Sequence, residues 1–332
     1  MSNLVGLPPK QGELAISASS GATYRECPRK YELAFLHQLT ADGFNAPFFV
    51  GDMVHLGLEK FYKREHPKII VEDVQNALIA KMQGTFIPAE DMDGADKDVS
   101  IVIGMLIGYF KHYGPNELAL WNPIHGSEFG FRLKFSAHGV EIPFVGKIDM
   151  IATNSKDGQL WMVEHKTTGL STNEYLTKWH MGMQPHGYVW AGRRLHAAGI
   201  LPTRPSGCMI NVIKKPGIRL KKTETQDQFN LRLTQEYLDN PDKYFAREWI
   251  PIGDREIAWF EQQLAEWIRR MQHDARIGFF PQNTDACHSH FGACRMFPIC
   301  FQGERDPGVF QYYRLRESQF EEVGEYDYNE YT

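Results

Sequence analysis

The stretch FVGKIDMIATNSKDGQLWMVEHKTTG, residues Phe144 to Gly169, holds two runs rich in apolar and β-branched residues on either side of Asn154-Ser155-Lys156-Asp157-Gly158, a cluster of turn formers. This pattern specifies a β-hairpin. A turn centred between Lys156 and Asp157 sets Asp149 directly opposite Glu164, where facing Cβ atoms lie about 5 Å apart. Side chains alternate faces along a strand, so Lys166 emerges on the same side as Glu164. Two acids and one lysine therefore converge.

Like charges opposed across strands destabilise a sheet, so a purely structural hairpin would avoid Asp opposite Glu. A divalent cation removes the conflict. Mg²⁺ and Mn²⁺ take oxygen ligands, commonly one or two carboxylates together with substrate phosphate oxygens. The alternative is a surface hairpin in which Lys166 pairs with Glu164 and Asp149 is solvated. The flanking Ile148, Met150, Ile151, Trp161 and Val163 favour burial of both strands instead.

Working outward, strand patterns cover Glu128 to Ala137, Val140 to Ala152 and Gln159 to Lys166. Helical spacing covers Phe49 to Arg64, Val71 to Met82, Val99 to Tyr113, Asn173 to Ala198 and Ile257 to Ile277, the last ending near Gly278. A further helix is expected over Ser17 to Leu39, capped by Ser19 or Ser20 and kinked or restarted at Pro28.

Composition excludes several classes. Hydrophobic residues make up 42% of the chain and charged residues 23%, and no apolar run approaches the roughly 18 to 20 residues a membrane helix needs. Met1 to Lys10 lacks the basic-then-apolar layout of a signal peptide, so a reducing cytoplasm is expected, where structural disulfides are rare. The five cysteines then need another explanation. A net charge of −5 argues against coating nucleic acid by bulk electrostatics. A local basic stripe is still available at Lys214, Lys215, Arg219, Lys221 and Lys222, around Pro216-Gly217; it reads either as a DNA contact or as a solvated lysine-rich loop. After Arg316 the chain carries six acids and no base, the composition of a solvated tail or, alternatively, of a segment imitating the charge of DNA.

Cys287, Cys294 and Cys300 are spaced C-x6-C-x5-C within ACHSHFGACRMFPIC, and Cys27 opens Cys27-Pro28-Arg29-Lys30-Tyr31. Four thiolates match the ligand count of a [4Fe–4S] cluster. A zinc site using His288 or His290 with the cysteines, or simple buried thiols, are the competing readings. Cys208 sits in an apolar strand and reads as a core thiol.

Gly146-Lys147-Ile148-Asp149 followed by Glu164-His165-Lys166 resembles the PD-(D/E)XK nuclease superfamily, in its RecB/AddB-like branch. Gly51-Asp52-Met53-Val54-His55 is similar to the helical G-x-x-x-H motif of that branch, and Gln184 with Tyr188 to its Q-x-x-x-Y motif. Pro185 sets Gln184 at a helix start rather than inside one. Iron–sulfur members, including CRISPR-adaptation and phage nucleases, have one cysteine in a C-P-x-K/R-Y helix and three near the C-terminus, which Cys27, Cys287, Cys294 and Cys300 resemble.

The resemblance implies an α/β restriction-endonuclease-like core, a central mixed sheet flanked by helices, with a helical N-terminal annex and a C-terminal iron–sulfur clasp. It divides the chain into a helical region 1–125 with Cys27 and His55, a nuclease core 126–215, a helical extension 216–280, a cysteine segment 281–303 closing on Cys27, and an acidic tail 304–332. It also implies a Mg²⁺- or Mn²⁺-dependent exonuclease acting on DNA ends or single strands, in recombination, end resection or repair, alongside a helicase or recombination partner. Asp149, Glu164, His55 and the backbone carbonyl of His165 would be the metal ligands, and Lys166, Gln184 and Tyr188 would complete the site. Glu59, one turn from His55, and Glu128, on the first strand, are further acids within reach. The competing functions are a non-catalytic DNA-end-binding protein of the same fold and a zinc-stabilised protein-interaction adaptor.

Overall fold

The computed structural model describes residues 7–41, 46–83, 92–124, 127–289, 292–303, 306–320 and 328–331. In chain order the helices are α1 (Ala18–Glu26), α2 (Pro28–Tyr31), α3 (Ala46–Tyr62), α4 (Pro67–Gln83), α5 (Met92–His112), α6 (Gly114–Leu120), α7 (Thr172–Thr177), α8 (Met183–Ala197), α9 (Gln226–Asp239), α10 (Pro241–Tyr244), α11 (Asp254–Ile277) and α12 (Phe297–Gln302). The strands are β1 (Leu39–Ala41), β2 (Trp121–Pro123), β3 (Phe129–Ala137), β4 (Val140–Ile148), β5 (Met150–Asn154), β6 (Leu160–Thr168), β7 (Gly207–Lys214), β8 (Phe245–Pro251), β9 (His288–Ser289), β10 (Gly292–Ala293), β11 (Tyr313–Leu315) and β12 (Tyr328–Tyr331).

Two compact units form, one from Met1–Asp42, Gly130–Lys147 and Asp254–Thr332, the other from Gly43–Phe129 and Ile148–Gly253. They interleave along the sequence, whereas the segments expected above are linear stretches. The two divisions rest on different grounds, contacts in one case and motifs in the other.

The second unit carries a five-stranded mixed sheet in the order β2-β5-β6-β7-β8, with β6 and β7 parallel and the other neighbours antiparallel. Trp161 and Val163 of β6 join Met150, Ala152, Met209 and Ile213 in a buried cluster with Val54 and Leu58 of α3, Leu106 of α5 and Leu233 of α9. Helices thus cover a central mixed sheet, the α/β arrangement expected. The β5–β6 register pairs Met150 with Val163 and Thr153 with Leu160. The same register, extended by one residue, points Asp149 toward Glu164, although the ladder itself ends at Met150; Gly158 supplies the turn's left-handed backbone at φ +70°.

Three local expectations need correction. The continuous strand expected over Val140 to Ala152 breaks at Asp149, because its carboxylate takes the His165 N–H at 2.6 Å and its carbonyl takes the Glu128 N–H at 2.8 Å, in place of regular ladder partners. The helix expected over Asn173 to Ala198 divides into α7, a 3₁₀ turn at Lys178–Met181, and α8. Gly182 is extended at the junction, and Pro185 falls in the first turn of α8, where a missing N–H is harmless. The cap of α1 is Ser17, with Ser20 as its capping-box partner, rather than Ser19 or Ser20.

In the first unit, Cys27 is extended (φ −159°, ψ 111°) and ends α1, and Pro28 restarts the chain as the first residue of α2, followed by a π-helical turn at Glu32–Leu36. A three-stranded sheet orders β12-β3-β4, and Phe144 of β4 meets Phe260 of α11 at 6.2 Å between ring centres. No described helix is long and apolar enough to cross a membrane.

Candidate active site

On α3, His55 directs Nδ1 to within 3.3 Å of Asp149 Oδ1 and 3.9 Å of Glu128 Oε1. Glu128 holds a left-handed backbone at φ +64°, unusual for a residue with a side chain, while its N–H bonds the Asp149 carbonyl. His55, Glu128 and Asp149 each offer one ligand atom, all within 4.8 Å of one another. Hard oxygens and one imidazole in this arrangement suit a divalent cation. Glu59 does not join them; it pairs with Lys63, just past the end of α3.

Glu164 and Lys166 occupy alternate positions of β6 and touch each other through Oε1 and Nζ. Gln184, in the first turn of α8, donates to Glu164 Oε1 at 2.8 Å and to the Tyr188 hydroxyl at 2.8 Å. Glu164 is 2% exposed, and its Oε2 is buried with no hydrogen-bond partner among the described residues. A buried carboxylate oxygen left unpaired is costly. Glu164 falls outside the group that lies within 4.8 Å, although the charges of Asp149 and His55 reach it; the His55–Glu128–Asp149 donors fit a divalent metal, and the Glu164 orphan is a further oxygen such an ion would satisfy.

The titration of these groups follows from their burial and mutual charge. Burial, and then the charge of Asp149, push Glu164 up to about 7 against the opposing pull of Lys166. Burial disfavours the charged form of His55, yet the Asp149 carboxylate and hydrogen bonds to Asp149 and Glu128 outweigh it and raise the imidazole to about 10. Burial likewise opposes ionisation of Asp149, but the charge and hydrogen bond of His55 hold it well below the usual carboxylate range.

The His165 imidazole turns to the opposite face of β6 from Glu164 and stacks on Tyr62 at 5.4 Å and 16°. Its Nδ1 lies 2.9 Å from Asn211 Nδ2, which donates to it, and burial lowers its pKa to about 3, so the ring is neutral. Asn211 also bonds Tyr109 and Arg247, and Arg247 makes two bonds to the buried Glu117, which takes the Tyr62 hydroxyl as well. The imidazole is committed to this network, with its ring edge-to-face against that of His55 at 6.2 Å, while the backbone N–H of His165 bonds Asp149. Neither this network nor the convergence of Glu128 was marked by a motif; the acid at a strand start was the sole hint.

The four cysteines named above lie within the first unit. Cys27, Cys287, Cys294 and Cys300 line one cavity of about 180 Å³ with Lys30, Asn283 and Phe297. Asn283 fastens the C-terminal segment to the end of α1, its side chain donating to the Glu26 carbonyl at 2.8 Å and its N–H lying 3.4 Å from Cys27 Sγ. Among the described residues the sulfurs do not draw together within 4.8 Å as the His55 group does. That is wide for one zinc ion, whose bonds to sulfur are about 2.3 Å. His288 is exposed beside Phe297, and His290 lies outside the described residues. Cys208 is fully buried in β7, a core thiol as read.

Residues 15–301 match the PD-(D/E)XK nuclease superfamily, and the chain belongs to it. Its members are typically Mg²⁺- or Mn²⁺-using nucleases, and DNA is the substrate class that membership implies. No curated protein matches the chain. A solved structure described as "Crystal structure of SSO0001" is 15% identical, covers 76% of this chain and 85% of its own, and aligns with a TM-score of 0.30.

Proposed function

We propose that this chain is a divalent-metal-dependent deoxyribonuclease of the RecB/AddB-like branch, an exonuclease that works at DNA ends, with Asp149, Glu164 and Lys166 at its centre. The observation that carries the reading is the grouping of the His55, Glu128 and Asp149 ligand atoms within 4.8 Å, with the buried, unpaired Glu164 Oε2 within reach of the charges of Asp149 and His55. Asp149, Glu164 and His55, with the backbone carbonyl of His165, would hold the cation, and Glu128 would add a further carboxylate. When bound, the ion polarises the scissile phosphate and lowers the pKa of the attacking water.

The chain's own groups supply the rest. Lys166, kept cationic by Glu164 and Asp149 despite burial, orients the water and offsets charge on the phosphate oxygens as the phosphorus becomes five-coordinate. Gln184 holds Glu164 Oε1 in place and is itself held by Tyr188. Asp149 receives the His165 N–H, which ties β6 to the bend that aims its carboxylate. Hydrolysis leaves a 5′-phosphate and a 3′-hydroxyl, and the basic loop Lys214 to Lys222 offers contacts to the DNA backbone.

The four-cysteine cavity we read as the seat of a [4Fe–4S] cluster with a structural role. The thiol count, a shared cavity larger than one ion needs and the joining of residues distant in sequence support it. Incubating end-labelled linear and circular DNA with Mg²⁺ or Mn²⁺ tests the nuclease reading. Linear DNA should be degraded by the wild type and spared by Glu164→Ala and Lys166→Ala; equal digestion by all three removes the assigned centre.

A further inference from the structure

Immediately after β6 the chain sets two aromatic rings and a second lysine against the lysine of the site. The Trp179 ring centre lies 5.1 Å from Lys166 Nζ. Tyr175 meets Trp179 edge to face at 5.8 Å and 65°. Lys178 Nζ lies 3.8 Å from the Tyr175 ring and 4.8 Å from that of Trp179. Both rings are half-buried and Lys178 is exposed, as are Leu170 and Met181 nearby. The Trp179 indole N–H has no hydrogen-bond partner among the described residues.

A ring packed only for stability is usually buried more completely. Here two partly open rings and two amines form one surface a few ångströms from the catalytic lysine. Amines meet phosphates and aromatic faces meet bases, the two things a nucleic-acid strand presents. A base inside a duplex is already stacked on its neighbours and would have to leave them to reach a protein ring. An unpaired base does so without that cost.

We propose that Trp179, flanked by Tyr175 and Lys178, is a stacking platform for one unpaired base next to the scissile phosphate. This rests on the nuclease reading above and assigns a residue to the recognition of an unpaired base. Trp179 also sits close enough to hold Lys166 in place, so the test must separate stacking from positioning.

The probe is a short fluorescein-labelled oligodeoxythymidine, bound to the full chain with Ca²⁺ replacing Mg²⁺, compared with the same strand carrying one abasic residue at successive positions and with a blunt duplex. Trp179→Ala should weaken single-strand binding roughly 5- to 100-fold and leave duplex binding nearly unchanged. One abasic position should weaken wild-type binding by a similar factor and add nothing further in Trp179→Ala, while Trp179→Phe keeps most of the affinity. The platform is overturned if no abasic position matters to the wild type, a result that does not depend on any variant folding. It is also overturned if Trp179→Ala weakens intact, abasic and duplex DNA alike, the signature of a residue that only positions Lys166. Wild-type cleavage in Mg²⁺ with either of these results leaves the nuclease reading standing; absence of cleavage alongside base-dependent binding removes the nuclease reading alone.

Discussion

The acid cluster of the second unit and the cysteine cavity of the first gather metal-binding side chains in opposite ways. Around His55, donors crowd until their ligand atoms lie within 4.8 Å, and a carboxylate oxygen is left buried and unpaired. Around Cys27, four thiols border a cavity without closing on a single point. Crowded carboxylates repel one another; here the protonated His55 balances Asp149 and Glu128, and a divalent ion would take over that role by displacing the His55 proton. Neutral thiols tolerate proximity at little cost and need no such balance. The first region therefore speaks to catalysis through electrostatic conflict, the second only through its count and position.

The largest test of this contrast is in activity. Lys166→Ala or Glu164→Ala should lower DNA cleavage about 1,000-fold, as removal of a charge-stabilising group at a transition state does, while Cys300→Ser should leave the cleavage step within a few-fold on the protein that remains folded. Cleavage that follows the cysteines and ignores Glu164 would reverse the assignment of roles. In anaerobically purified protein, Cys300→Ser should abolish absorbance at about 400 nm arising from an iron–sulfur cluster; a colourless wild type carrying zinc would replace that group.

Stability gives the next test. Arg247 is the partner of Glu117, which is 2% exposed, so Arg247→Met should cost about 3 kcal/mol by stranding a buried charge. Denaturant unfolding measures it, and a loss within about 0.5 kcal/mol, the range of ordinary surface changes, would show that the network under His165 is dispensable. Metal affinity follows. Glu128→Gln should weaken Mn²⁺ binding roughly 10-fold, on the scale of losing a supporting ligand, read by calorimetry with the cysteine cavity as the unaffected control.

The last test is in pH. Burial and the Asp149 charge raise Glu164 to about 7, so below that pH it holds a proton that a cation must displace. Mn²⁺ affinity should fall as pH drops from about 8 to about 6, by up to roughly 10-fold per unit above about 7, where only the His55 proton must be displaced, and up to roughly 100-fold per unit below it, where the Glu164 proton joins. The sign is set by the raised values: a proton held on either ligand competes with the ion. A profile that does not steepen below about 7 would mean that Glu164 is not a ligand.

Much of the site could be read along the chain because β-structure translates directly from local pattern. Asn154 to Gly158 fixes a turn, the turn fixes register, and register opposes Asp149 to Glu164, with Lys166 two residues on. Helical spacing put His55 on a helix, but its place in the site came from the resemblance of Gly51 to His55 to the G-x-x-x-H motif; Pro185 carried the place of Gln184 at a helix start. The Cys27-Pro28 pair marked a helix restart because proline lacks the N–H an interior position would use. These are short-range consequences of backbone geometry.

What tertiary structure alone decided lies where segments remote in sequence meet. The break at Asp149 arises because His165 and Glu128 supply hydrogen bonds that the continuous apolar pattern of Val140 to Ala152 does not reveal. Glu128 becomes a neighbour of His55 only through a left-handed residue at a strand start. The Tyr62–Glu117–Arg247–Asn211 network commits the His165 ring to the core, and the placing of Trp179 beside Lys166 depends on the break before α8. Alternation and spacing tell which face a side chain takes, but its partners depend on packing among elements, and that information resides in no single stretch of the chain.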